Sequence, residues 1–528
     1  MSSPVVKLLQ GTVQGALKED IYGGKYHSFL GIPYAKPPVG ELRFKDPLPP
    51  DSWLGVRDCT AEANISLQRN LDNGNITGSE DCLYLNVFTK DLPNEQSDRL
   101  KPVMVWIHGG AFKSGSNSLL VFGPEFLITE DIVLVSINYR LGLLGFLRLK
   151  DSDFNVYGNM GLKDQTEALR WVKNNIRSFN GDPNNVTIFG ESAGGASVHY
   201  HVLSPLSRDL FHKAIIQSGT ALNNFSEFDH SSVQIAKTID SDVRDELDAW
   251  RFFKHATAEQ LIQAEEIYIK KTPAGKFIGP VIEKPHKKAF ITRRAIDIIA
   301  SEEYNKVPLI FGYTDQEGLV FKAQIFGSIA NREKPFSMED VFPRNGNKLS
   351  DNVKTLVKKL ENFYLKQNDP EAGRIMLDTD WTFLSGTWAS VKNHVQTSPY
   401  PVYLYKMTVV TKLNFFKILA HLEQYPGVCH GDDIGYLFKT FTTPPIEPGS
   451  PEEVGLRRFV KLWTNFATHG NPTPDHDELG ITWKPVMIRQ MNVLNIGEEL
   501  KIEINSESKR LALWREIYHQ HPSTVKYL

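Results

Sequence analysis

An α/β chain with a central, mostly parallel, twisted sheet flanked by helices is what this sequence predicts. Three observations carry that expectation. The first is Gly190-Glu191-Ser192-Ala193-Gly194, a G-x-S-x-G motif. It follows Val186-Thr187-Ile188-Phe189, whose β-branched residues read as a short buried strand. It precedes Gly195-Ala196-Ser197, small residues that suit a helix crowded against a sheet. The second is a series of short apolar runs of the same kind, Val103–Ile107, Ile132–Ile137 and Ala214–Gln217. The third is a helical stretch before the motif. Its Leu162, Leu169, Val172 and Ile176 recur at spacings that share one helical face.

A serine at a sharp strand-to-helix turn is held with its hydroxyl exposed, and glycines flank it because backbones approach closely there. Ser192 is therefore the candidate nucleophile. Upstream, the strand-like Pro102–Ile107 runs into His108-Gly109-Gly110-Ala111-Phe112. Acyl transfer develops an oxyanion, which needs N–H groups aimed at it. A glycine loop after one strand and the residue after the nucleophile supply such donors in this kind of site. Gly110, Ala111 and Ala193 are the candidates; a tight glycine turn is the other reading of the loop alone.

Composition agrees with a large enzyme. The chain has 528 residues, 41% of them hydrophobic, and a net charge of −3. That charge offers no electrostatic case for nucleic acid or an anionic membrane. No run is long enough to span a bilayer; the longest, Ile132 to Phe146, is broken by Asn138-Tyr139-Arg140. The start, Met1 to Leu9, lacks the apolar core of a signal peptide, which leads to an expected cytoplasmic location. His199 and His201 stand two apart on a probable helix and so point apart, and His519 and His521 carry no further ligand pattern. No metal or cofactor is expected.

Longer motifs carry a resemblance to a known family. They include Ser28-Phe29-Leu30-Gly31-Ile32-Pro33-Tyr34-Ala35, Glu80-Asp81-Cys82-Leu83-Tyr84-Leu85-Asn86-Val87, Asn138-Tyr139-Arg140-Leu141-Gly142 and Gly161-Leu162-Lys163-Asp164-Gln165. With the segment Phe189 to Val198, they make the chain resemble the type-B carboxylesterases, which include the cholinesterases, over nearly its whole length. The likeness is strongest to intracellular insect α-esterases. The resemblance implies an α/β-hydrolase fold and a serine, acid, histidine order along the chain.

That resemblance nominates Glu317, in Gly312-Tyr313-Thr314-Asp315-Gln316-Glu317-Gly318, as the acid, with Asp315 as runner-up. It nominates His430, in Gly427-Val428-Cys429-His430-Gly431-Asp432-Asp433, as the base. A serine hydroxyl is a poor nucleophile until a neutral imidazole takes its proton. A buried carboxylate then orients that imidazole and stabilises the transient cation. Glu191 and Ser218 fall at supporting family positions; a strand-end turn is the other reading of Ser218. Arg43 with Glu80 and Arg140 with Asp164 fall at structural ion-pair positions. Secreted relatives bridge the cysteine at Cys82 to an upstream partner. That partner position holds Ser66 here, with Cys59 nearby as a possible substitute. Cysteines 59, 82 and 429 are the only three, which fits a reducing compartment.

The expected organisation is one hydrolase domain over residues 1–528, with helical insertions at about 221–303 and 323–395 that form the pocket walls. The expected function is hydrolysis of lipophilic or xenobiotic carboxylic esters through an acyl-enzyme, in detoxification, with sensitivity to organophosphates. A slow-turnover scavenger of toxic esters is the alternative. A cholinesterase is disfavoured because Asp72 to Ser79 lacks the tryptophan that faces a quaternary ammonium. A silent adhesion-type relative is disfavoured because all three triad residues are present. Acyl and alcohol preference and oligomeric state are left open.

Overall fold

The computed structural model describes residues 3–70, 73–93, 99–271, 278–323, 351–366, 368–475 and 477–520. His521 and residues 324–350 of the second expected insertion lie outside the described residues, and nothing is described of the His519 side chain.

An eleven-stranded sheet organises the chain. Its strands are β1 (Ala16–Glu19), β2 (Lys25–Pro33), β3 (Tyr84–Thr89), β4 (Lys101–Ile107), β5 (Val133–Ile137), β6 (Gly181–Glu191), β7 (Lys213–Gln217), β8 (Leu309–Thr314), β9 (Val402–Met407), β10 (Asn492–Ile496) and β11 (Leu500–Ile504). Their spatial order is β11-β10-β9-β8-β7-β6-β4-β5-β3-β2-β1. Neighbours from β5 through β4, β6, β7, β8 and β9 to β10 pair in parallel, and antiparallel strands close both ends.

The apolar runs of the sequence follow from this arrangement. In β4, Val103, Val105 and Ile107 join the core on one face of the sheet, while Met104 and Trp106 join the core on the other. Parallel strands are covered on both faces, so they read as unbroken hydrophobic stretches rather than as alternation.

The helices used below are α1 (Gly142–Phe146), α2 (Met160–Asn175), α3 (Ala193–Leu203), α4 (Ser232–Ala236), α5 (Glu246–His255), α6 (Ala258–Lys271), α7 (Asp351–Leu360), α8 (Pro370–Thr379), α9 (Ser385–Thr397), α10 (Pro451–His469) and α11 (Ser508–Gln520). Leu162, Leu169 and Val172 are buried on α2, and Ile176 is buried in the 3-10 turn that continues it. α10 starts and stops on local signals. The Ser450 hydroxyl accepts the Glu453 N–H, Pro451 takes the first turn, and Gly470 ends the helix at φ 71°. The described part of the first expected insertion carries α4, α5 and α6, joined by non-helical chain. The second carries α7 and α8, but α9 at its end packs on β8 and β9 and so belongs to the helical layer of the sheet.

Every loop with a candidate site residue leaves the carboxyl end of a parallel strand. Gly110 and Ala111 follow β4, Ser192 follows β6, Ser218 follows β7, Glu317 follows β8, and the chain that reaches His430 leaves β9. In open α/β sheets this is the edge where sites form.

Arg140 and Asp164 form a buried bidentate pair, with Nε–Oδ2 at 2.8 Å and Nη2–Oδ1 at 2.6 Å. Arg43 and Glu80 form a second bidentate pair, partly exposed, with Nε–Oε2 at 2.7 Å. His199 and His201 do point apart. His199 Nε2 meets His394 Nε2 at 2.8 Å, whereas His201 binds Ser207 Oγ and Gln165 Oε1.

Cys59, Cys82 and Cys429 are buried and unbridged. The Cys82 thiol sits beside the Ser66 hydroxyl, and burial pushes the thiol pKa up to about 12. Ser66 Oγ in turn donates to the Tyr139 carbonyl at 2.6 Å. Ser66→Cys should therefore form a disulfide to Cys82 under oxidising conditions. Closing so short a loop stabilises by about 3 kcal/mol, against about 1 kcal/mol for the lost hydroxyl bond. Thermal unfolding with and without reductant checks this: the midpoint should rise only without reductant. An unbridged Ser66→Cys protein would show that the two side chains do not approach.

Candidate active site

The turn at Ser192 joins β6 to α3. Ser192 has φ 60° and ψ −123°, a conformation that costs a non-glycine residue on the order of 1–3 kcal/mol. Its N–H donates to the Gln217 carbonyl at 2.8 Å, and its own carbonyl accepts the Ala196 N–H at 2.9 Å. Glycines at this turn have no room for a side chain. A Cβ on Gly194 would overlap the Ile107 carbonyl, and one on Gly219 would overlap the Ser192 carbonyl. Ser192 keeps part of its surface accessible while Glu191 and Ala193 on either side are buried.

The loop after β4 folds back tightly, because the Gly110 carbonyl accepts the N–H groups of Lys113 and Ser114 at 3.0 and 2.9 Å. Ala111 and Phe112 both adopt left-handed conformations, with φ 55° and 58°. Gln68 clamps the far end of the loop through both backbone groups of Gly115, each at 2.8 Å. Among the described residues, the N–H groups of Gly110, Ala111 and Ala193 donate to no protein acceptor. They are free to receive an oxyanion.

His430 Nδ1 lies 2.6 Å from Glu317 Oε2, and the other Glu317 oxygen accepts the Thr314 N–H at 2.8 Å. Asp315, the alternative acid, is occupied elsewhere. Its Oδ1 accepts the Val428 N–H at 2.7 Å, on the backbone approaching the histidine. The carboxylate at 317 thus meets the ring, and the one at 315 shapes the loop that carries it.

His430 Nε2 meets a carboxylate. It lies 3.0 Å from Glu191 Oε1, an ionic contact without hydrogen-bond alignment, and no hydrogen bond links Ser192 to His430 among the described residues. Burial raises the Glu191 pKa. Burial also disfavours the imidazolium, but the negative charges of Glu191 and Glu317 outweigh it and raise the His430 pKa.

Two further buried carboxylates stand close by. Asp433 Oδ2 accepts from Gln217 Nε2 at 2.8 Å and Tyr405 Oη at 2.9 Å. Asp432 accepts from the backbone of Lys417 and Cys429 and from Asn414 Nδ2. Ser218 stands at φ 52°, and among the described residues its buried hydroxyl has no hydrogen-bond partner, so none of these bonds ties it directly to Ser192, Glu317 or His430.

Sequence reasoning missed Phe383 and Asn223. The Phe383 ring covers the His430 imidazole, with centroids 4.4 Å apart and planes at 38°. Phe225 and Phe321 flank Phe383 at 5.5 and 6.1 Å. Phe383 is carried on a π-helical turn, Asp380–Leu384, between α8 and α9. Asn223 Nδ2 donates to the Thr382 and Phe383 carbonyls at 2.8 and 2.7 Å and so supports that turn. No sequence signal marks either residue, since the Asn223 bonds reach about 160 positions along the chain and the Phe383 ring meets a histidine on a separate loop.

The chain as a whole is similar to known esterases. The Juvenile Hormone Esterase from Manduca sexta, solved with OTFP covalently attached, aligns with a TM-score of 0.85 at 27% identity, over 98% of this chain and 100% of that one. Esterase B1 of Culex pipiens is 30% identical, with 98% of each chain covered. Juvenile hormone esterase of Tribolium castaneum is 32% identical over 97% of this chain and 93% of its own. Acylcarnitine hydrolase of Mus musculus is 33% identical over 99% and 93%. With the carboxylesterase family model matched from residue 2 to 514, the chain belongs to the carboxylesterase family and is a carboxylic ester hydrolase.

Proposed function

We propose that this enzyme hydrolyses lipophilic or xenobiotic carboxylic esters through an acyl-enzyme on Ser192, in detoxification within the cytoplasm. The observation that carries the mechanism is the strained, accessible Ser192 at the same sheet edge as a histidine bonded at 2.6 Å to Glu317. The aromatic cluster of Phe383, Phe225 and Phe321 around His430 supports an apolar substrate. The serine that stands beside Cys82 supports a reducing compartment.

In this reading Ser192 Oγ attacks the ester carbonyl as its proton passes to His430 Nε2. The carbonyl oxygen becomes an oxyanion held by the N–H groups of Gly110, Ala111 and Ala193. Collapse breaks the bond to the alcohol oxygen, which leaves with the proton from His430. Water then attacks the acyl-enzyme by the same steps, and Ser192 recovers its proton as the acid departs. Glu317 holds the imidazole tautomer throughout.

Paraoxon tests the nucleophile. One diethylphosphoryl group per chain should appear on Ser192 by peptide mapping. Ser192→Ala should abolish it and lower kcat for p-nitrophenyl esters by on the order of 10⁴–10⁶. A folded Ser192→Ala protein with unchanged turnover contradicts the mechanism.

The contact between Glu191 and His430 sets the pH dependence. The base must be neutral, and a raised pKa means it stays protonated to higher pH. Activity should therefore fall, as pH drops, through a midpoint above the ~6.5 of an ordinary histidine. Glu191→Gln removes one of the two flanking charges and should move that midpoint down. A pH profile of kcat/KM for both proteins checks this, and an unmoved or higher midpoint in Glu191→Gln contradicts it.

The same contact favours a second reading, a slow-turnover scavenger, because the base rests against Glu191 rather than the nucleophile. Burst kinetics separate the two. A scavenger shows one equivalent of alcohol released and then a negligible steady state, whereas a catalyst continues.

A further inference from the structure

Two consecutive left-handed residues, Ala111 and Phe112, need an external hold, because each is strained on its own. That hold is α1. The Gly142 N–H, at its first turn, donates to the Phe112 carbonyl at 2.7 Å. The Phe112 ring meets the Phe146 ring of the same helix edge-on at 5.3 Å. α1 itself starts without a cap, since its N-cap Leu141 offers no side-chain acceptor. Its next free donor, the Leu143 N–H, goes to Glu265 Oε2 at 3.1 Å. Glu265 comes from α6, more than 120 residues further along, in the first insertion.

Glu265 is buried, and its position admits little else. A Cβ on Gly142, itself at φ 52°, would overlap the Glu265 carboxylate. The cavity at this point has a volume of about 20 Å³ and is lined by Arg69, Lys113, Gly142, Leu143, Leu261 and Glu265 among others. That is room for about one water molecule, so the cavity is too small to be a ligand site. The nearby Arg69 is engaged by Glu266, at 2.6 and 2.9 Å, and Lys113 is the cation that acts on Glu265. Burial pushes the Glu265 pKa up to about 7. An acceptor oxygen at Leu143 is present in either protonation state.

We propose that Glu265 is a positioning residue for the oxyanion loop: it completes the start of α1, and α1 then holds Phe112 and, through it, the Ala111 N–H. The proposal rests on the reading of Gly110 and Ala111 as oxyanion donors. It gives the insertion a second task besides building a wall, since the carboxylate that steadies the loop comes from outside the sheet.

Two conservative variants separate reach from charge. Glu265→Gln keeps the side-chain length and a carbonyl oxygen for Leu143 but loses the charge. Glu265→Asp keeps the charge but falls one methylene short. Both are measured for kcat and KM on p-nitrophenyl acetate, for inhibition by a trifluoromethyl ketone that forms a tetrahedral adduct, and for thermal unfolding. A misplacement of about 1 Å can cost up to ~10²-fold, so Glu265→Asp should lose about tenfold in kcat with KM within about threefold. Its inhibition constant for the ketone should rise by a similar factor, while Glu265→Gln stays within about threefold of wild type on every measure. Glu265→Asp at wild-type kcat, Glu265→Gln impaired as far as Glu265→Asp, or a change confined to KM would each overturn the proposal. A wild-type enzyme that neither turns over the ester nor is labelled at Ser192 would instead sink the catalytic reading beneath it.

Discussion

The strained backbone of Ser192 is the constraint on which the rest of the site depends. A residue at φ 60° persists only where its surroundings over-determine it. Here the surroundings are the two neighbouring parallel strands. The Gln217 carbonyl from β7 fixes the Ser192 N–H, and the Ile107 carbonyl from β4 leaves no space for a side chain at Gly194. Because the sheet is parallel, the loops after β4, β6, β7 and β8 emerge at one edge. The oxyanion loop, the nucleophile turn and the acid loop are neighbours for that reason.

Charge is the second constraint. Glu191, Glu317, Asp432 and Asp433 are all buried, and His430 lies among them. Asp432 and one oxygen of Asp433 are held by neutral donors, whereas Glu191 and Glu317 both approach the ring. An unpaired buried carboxylate is costly, so the imidazolium gains from each of these two contacts. Glu317 holds the Nδ1 edge in the tautomer that catalysis needs. Glu191 lies against the Nε2 edge.

Much of this was legible in the sequence, because it is local. The strand, sharp turn and helix around Ser192 and the glycine loop after β4 depend on residues next to one another. The family resemblance carried Glu317 and His430. The choice of Glu317 over Asp315 follows in the structure from where each carboxylate's hydrogen bonds go. What could not be read is what long-range packing decides. The approach of Glu191 to His430, the Phe383 ring over the imidazole, the Asn223 support and the Glu265 cap all join segments far apart in the chain. The same holds for α9, whose helical pattern was clear but whose packing on β8 and β9 was not.

The central claim is that one edge of the sheet presents Ser192, the His430 ring and a preformed set of oxyanion donors to a single reacting carbon. A crystal structure of the protein reacted with a trifluoromethyl ketone tests it most directly. The account predicts a covalent bond from Ser192 Oγ to the ketone carbon. It predicts the ketone oxygen at about 2.7–3.1 Å from the N–H groups of Gly110, Ala111 and Ala193. It also predicts His430 Nε2 turned from Glu191 towards Ser192 Oγ, with Nδ1 still on Glu317. An adduct oxygen pointing away from those donors, or an imidazole that stays against Glu191, would contradict it.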